Sequence, residues 1–133
     1  MKRLLLILSL AAASGLGSLL AAFQIVPVPP VPENVAAVIT QRCLDCHRGP
    51  KPAEKLSLEP DKILAATLDK PTAGDPARKL IDTSAPEKSY LLAKVRGDRN
   101  IGGSRMPARQ PRLPESEIKL LEDWIHGLKG AVR

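Results

Sequence analysis

Residues 43–47 read Cys43, Leu44, Asp45, Cys46, His47, and they hold both cysteines and one of the two histidines of the chain. The pattern C-x-x-C-H is the attachment signature of a c-type haem. Two thiols three positions apart on one helical turn reach the two vinyl groups of a single porphyrin, and the histidine that follows brings its imidazole to the iron from the same side. On this reading Cys43 and Cys46 carry one covalent haem c, with its iron, and His47 is the proximal ligand. A structural zinc site needs four donors, and the only fourth candidate is His126, 80 positions after Cys46 and outside any finger-like spacing. A dithiol redox pair belongs in a βαβ setting that the sequence does not suggest. A simple disulfide between the two cysteines leaves the adjoining histidine unexplained.

A haem with one protein ligand calls for a second. Met106 is the one methionine besides the initiator, and it lies in Gly102, Gly103, Ser104, Arg105, Met106, Pro107, a segment punctuated as a loop. Such a loop can bring a thioether over the far haem face, so Met106 is the expected distal ligand. His126 is the other protein candidate, although a histidine near a helix C-terminus also has a plain role beside the terminal carbonyls. An open or water-bound sixth position is the remaining alternative.

The rest of the chain sets the compartment. Lys2 and Arg3 are followed by no charged residue until Glu33, and the apolar body from Leu4 to Val26 is 23 residues long. A basic start and apolar body mark an export signal. As a helix the body would span roughly 34 Å, enough to cross a hydrocarbon core of about 30 Å. Two outcomes are compatible with residues 1–26: a signal peptide cut after small residues such as Ala21 and Ala22, or an anchor retained in the membrane. Either places the remainder in the periplasm or otherwise outside the cytoplasm, since the positive end stays inside. Residues 27–32 (Pro27, Val28, Pro29, Pro30, Val31, Pro32) read as a short stiff spacer. Residues 33–133 then form one domain, within the usual domain size of roughly 100 to 150 residues.

Composition narrows the function further. Hydrophobic residues are 44% of the chain but aromatic ones only 2%, so the core lacks the large rings that usually fill a domain centre, and a haem would supply that bulk. The net charge of +6 drops to +4 if Lys2 and Arg3 are lost with a leader. With no basic stripe interleaved with aromatics, nucleic acid is excluded as a partner. The residual charge suits solubility and docking to an acidic protein surface.

The apolar pattern predicts an all-α fold of about four helices, with no alternating strand. Helix one is expected from Glu33 to Cys43, with Val35, Val38 and Ile39 inward. Helix two is expected from Pro60 to Asp69, burying Ile63, Leu64 and Leu68 and stopped by Pro71. A capping box of Ser84 and Glu87 around Pro86 should open helix three, and Gly97 should close it after Val95. Helix four should follow Pro114, with Glu115 and Glu117 in its first turn and Ile118, Leu121, Ile125 and Leu128 along one stripe. Trp124 beside that stripe reads as a packing residue, with a hydrogen bond to a haem propionate as the alternative.

From about Asn34 to Gly130 the chain resembles the class I c-type cytochrome superfamily, and more closely its small exported bacterial members. The resemblance rests on Cys43–His47, on Pro86 to Gly97, on Met106 with Pro107, and on Leu113 to Gly127 with Trp124 and Ile125. It implies the cytochrome c fold around one haem, His47 as proximal and Met106 as distal ligand, and single-electron transfer between redox partner proteins rather than enzymatic catalysis. The separation of 59 positions between the two ligands also suits that family. One departure concerns the crossing of the first and last helices, where many members carry a Gly and an aromatic and this chain has Ala36, Ala37, Val38 and Ile39. Two alternatives stand beside electron carriage: a haem-bearing subunit of a membrane oxidoreductase complex, and a gas-binding or peroxidase-like domain with an open distal side.

Overall fold

The computed structural model describes residues 27–131. Four helices, α1 (Glu33–Arg42), α2 (Ile63–Thr67), α3 (Tyr90–Arg96) and α4 (Glu115–Gly127), alternate with loops and with 3-10 turns at Ala53–Lys55 and Pro86–Lys88. No sheet forms among the described residues, where extended chain pairs through isolated bridges of Leu68 with Ile81 and Pro71 with Lys79. The fold is all-α with four helices, as the apolar periodicity predicts. Among the described residues no helix is long and apolar enough to cross a membrane. The expected leader at 1–26 lies outside the described residues.

The packing is organised on α4. Pro114 stands at its N-cap in an extended conformation, and Glu115 and Glu117 occupy the first turn, where unpaired N–H groups favour negative charge. Ile118, Leu121, Trp124 and Ile125 are buried along one side, and Leu128 continues the stripe. This side meets α1, α3 and the Pro86–Lys88 turn. Two ion pairs flank the apolar contact. Arg42 at the end of α1 grips Glu117 through Nε (2.9 Å) and Nη2 (2.8 Å), and Arg96 at the end of α3 donates from Nε to Glu122 (2.6 Å). All four side chains are partly solvated, so the adhesion comes chiefly from the buried Leu and Ile side chains, about 1.5–3 kcal/mol each.

Helix α1 buries Val35 and Ile39 and half-buries Val38, the expected face. It ends at Arg42, and Cys43 is its C-cap, with the N–H donating to the Ile39 carbonyl at 2.9 Å. Val28 and Val31 of the proline-rich stretch pack against the same core.

Two expected helices differ from their sequence-based outlines. Helix two does not run from Pro60 to Asp69; α2 covers only Ile63–Thr67, after a turn in which the Lys62 and Ile63 amides both donate to the Glu59 carbonyl. The chain leaves the helix at Leu68, which is extended, and Asp69 beyond it takes a left-handed conformation (φ 53°). Its carboxylate accepts from the Thr83 amide (3.1 Å), the Thr83 hydroxyl (2.6 Å) and Lys79 Nζ (2.9 Å). Ile63, Leu64 and Leu68 are nevertheless buried as expected. The expected capping box at Ser84 is also absent. The Ser84 hydroxyl and the Ser84 and Ala85 amides all donate to the Asp82 carboxylate, and Pro86–Lys88 is a separate 3-10 turn before α3 opens at Tyr90. At the other end Gly97 closes α3 as predicted. It is left-handed (φ 78°), and a Cβ there would come within 3.0 Å of Arg105 Cδ.

Burial alone pushes the Asp69 carboxyl up, but the hydrogen bonds from Thr83 and Lys79 outweigh it and hold the group below the usual carboxylate range. A lowered native value means stability that is present above about pH 4, the unfolded value, and is lost as acid protonates the native group. Asp69→Asn keeps a residue type that tolerates positive φ. Denaturant titrations across a pH series should therefore show a variant that is less stable than the parent at pH 7 and loses less stability between about pH 4 and 2.

Candidate functional site

The turn that bears both cysteines is a continuation of α1. The Cys46 and His47 amides donate to the Cys43 carbonyl at 3.3 and 3.0 Å, which keeps residues 43–47 at helical spacing. Cys43, Cys46 and His47 therefore fall on one side of one turn. The chain then folds back on itself. Gly49 (φ 76°) allows the reversal, the Ala53 amide donates to the Cys46 carbonyl (2.8 Å), and the Leu58 amide donates to the His47 carbonyl (2.8 Å).

This loop carries the Leu56 carbonyl to 3.1 Å from His47 Nδ1. A carbonyl only accepts, so Nδ1 holds the proton and Nε2 keeps its lone pair for a metal. The same contact fixes the ring orientation and makes the imidazole a better donor to a metal. His47 is half-buried, which leaves its free nitrogen within reach of a bound group.

The two thiols differ. Cys43 is half-buried against the core and Cys46 is exposed, and no disulfide joins them. Burial first, and the Glu117 carboxylate second, push the Cys43 thiol up to about 11. Cys43 is therefore a neutral thiol at physiological pH. The zinc alternative lacks its geometry. His126 is exposed on the last turn of α4, and no group of three or more His, Cys, Asp or Glu side chains that could hold a metal ion occurs among the described residues.

Met106 is half-buried in the loop between α3 and α4, with Pro107 buried behind it. Its amide donates to the Lys94 carbonyl at 2.8 Å, so the loop is anchored on α3. His47 and Met106 thus belong to different arms of the fold, α1 with its following loop and α3 with its own, and both arms are carried by α4. No hydrogen bond joins the Met106 loop to residues 43–58 among the described residues. The donor set of two unbonded thiols, an imidazole with a free Nε2 and a thioether fits a haem c held by thioether bonds and two axial ligands.

Trp124 is buried and packs in the core, as expected. Its Nε1 is a buried side-chain polar atom with no hydrogen-bond partner. On α4 it lies one helical repeat of seven from Glu117, which binds Arg42, so the indole stands on the side that meets α1. On α1 the buried residues are Val35 and Ile39, whereas Ala36 is half-buried and Ala37 exposed.

Four residues that contribute to the site have no signature in the sequence. Leu56 acts through its carbonyl, Arg42 and Glu117 pair across 75 positions, and Lys94 acts on loop backbone. Neither a protein-family model, nor a curated protein, nor a solved structure matches this chain. The functional reading therefore stands on the chemistry of these residues.

If the 47–58 loop is clamped as described, amide hydrogen exchange should be slow at Ala53, although its side chain is exposed, and at Leu58, and fast at Lys51, whose amide finds no backbone acceptor. Equal exchange along the whole loop would contradict the fold-back that positions the Leu56 carbonyl.

Proposed function

We propose that the protein is an extracytoplasmic c-type cytochrome with the cytochrome c fold, in which Cys43 and Cys46 hold one haem c covalently and His47 and Met106 ligate its iron. It passes single electrons between redox partner proteins. The observation that carries this reading is the helical turn of Cys43, Cys46 and His47 with His47 Nδ1 tied to the Leu56 carbonyl, which leaves Nε2 as the one free ring donor. When bound, the haem supplies one-electron exchange between ferric and ferrous iron, at a potential that a thioether ligand raises.

The work of the polypeptide is then positional. His47 is oriented by Leu56, Cys43 and Cys46 anchor the ring to α1, and the Arg42–Glu117 pair ties the end of α1 to α4. Holding both axial donors through each redox change keeps reorganisation small and leaves no coordination position for a substrate. No side chain is assigned as a catalytic acid, base or nucleophile. The leader at 1–26 supports a periplasmic location, as a soluble protein after cleavage or tethered to the inner membrane without it. In the tethered case a membrane oxidoreductase complex is the natural partner.

In the natively matured protein the pigment should stay with the polypeptide under acid-acetone extraction, and Cys43→Ser with Cys46→Ser should abolish that retention. Met106→Ala should keep covalent haem, but its ferrous form should bind carbon monoxide freely, where the parent binds it only slowly, as the sulfur leaves. An unchanged ligand field in Met106→Ala would remove Met106 from the distal position, and equally free carbon monoxide binding by the ferrous parent would point to a gas-binding or peroxidase-like domain instead.

A further inference from the structure

The segment that carries Met106 is poorly equipped to hold itself in place. Residues 102–104 are Gly, Gly and Ser, all exposed, and Gly103 is left-handed (φ 67°). No side chain of this stretch is buried, so its ordering is not offset by apolar packing. Beyond it Pro107 is buried and Arg105 donates to the Gln110 carbonyl (3.0 Å), but residues 102–104 are fixed from α3. The Lys94 carbonyl accepts from the Met106 amide (2.8 Å), and the same residue's Nζ donates to the carbonyls of Gly102 (2.8 Å) and Ser104 (2.6 Å). One helical turn earlier, Tyr90 Oη accepts from the Gly102 amide at 2.9 Å. The Tyr90 ring is itself held under the Arg78 guanidinium, 4.6 Å from its centroid.

Lys94 is thus used in an unusual way for a half-buried lysine. Its ammonium has no carboxylate among its hydrogen-bond partners and directs charge-assisted bonds to two carbonyls of one loop, while its own backbone takes the amide of the residue two positions beyond. Three contacts from one residue span Gly102 to Met106.

We infer that Lys94 is the positioning residue for Met106, fastening the 102–106 loop to α3 so that the thioether stays at the sixth position of the iron. This rests on Met106 being the distal ligand. A thioether is a weak neutral donor, so its residence on the metal depends on how little freedom its loop has. Releasing the loop should raise the rate at which the sulfur leaves, and carbon monoxide binding to the ferrous protein reports that rate because an incoming ligand must wait for the vacancy.

The test uses the matured, haem-loaded full chain and follows carbon monoxide binding after reduction, together with the ferric ligand-field spectrum. Lys94→Met keeps the aliphatic stem and loses both Nζ bonds. It should retain covalent haem and helix content, yet bind carbon monoxide at least tenfold faster than the parent and lose the ferric sulfur–iron absorption under milder denaturant. Lys94→Arg, which keeps a donor and its charge, should return the rate to within threefold of the parent. A carbon monoxide rate for Lys94→Met within twofold of the parent, while Met106→Ala binds freely, overturns the role of Lys94 and leaves the ligand assignment standing. A Met106→Ala protein indistinguishable from the parent overturns both. Should Lys94→Met fail to mature, Lys94→Gln loses the charge and is too short to reach both loop carbonyls. Faster binding in that variant supports the loop fastening, and a parent-like rate overturns it.

Discussion

The Cys43–His47 turn is only as well placed as the end of α1, and the end of α1 is held where α4 holds it. Ile118, Leu121, Trp124 and Ile125 bury one side of α4, and Glu117 reaches from its first turn to Arg42, the residue immediately before Cys43. The apolar contact supplies the adhesion and the ion pair selects the register. Arg96 and Glu122 do the same for α3, whose C-terminal turn carries the anchor of Met106. Two donor-bearing arms, separated by 59 positions in the chain, are brought into one body by a single helix that contributes no donor itself. A change that loosened α4 would be felt first as misplacement of the arms.

Within that frame, backbone groups do most of the fine positioning. A carbonyl of Leu56 orients His47, a carbonyl of Cys43 keeps Cys46 and His47 at helical spacing, and a carbonyl of Lys94 takes the amide of Met106. Backbone acceptors do not titrate, so these contacts persist across the pH range in which the protein is folded. Cys43 is treated similarly. A thiol pushed up to about 11 stays neutral, which avoids burying a thiolate beside Glu117.

Much of this was legible in the sequence where the cause is local. The start of α4 after Pro114, its acidic first turn, its buried stripe and the Gly97 stop all depend on residues within a turn or two of each other. The five-residue motif is likewise local, and so its helical geometry follows from its spacing. The differences arose where a short polar side chain bonded to a partner other than the one its helical pattern implies. Asp69 reads as the tail of a helix until Thr83 and Lys79 draw it into a left-handed turn, and Ser84 reads as a cap until Asp82 takes its hydroxyl. His126 looks like a spare donor in one dimension, but α4 turns it to solvent. The fastening of the Met106 loop was invisible for a further reason, since a lysine bonded to carbonyls leaves no complementary residue type to recognise.

Trp124 carries one more implication. It is the sole tryptophan of the chain, buried on the side of α4 that faces α1. A folded domain of about 100 residues has a radius of gyration near 13 Å, so any porphyrin attached to α1 lies within energy-transfer distance of the indole. With such a porphyrin bound, its fluorescence would be extinguished in the native state and would brighten only as the two helices part, and the indole would serve as an optical gauge of the central seam, dark when closed and luminous when open.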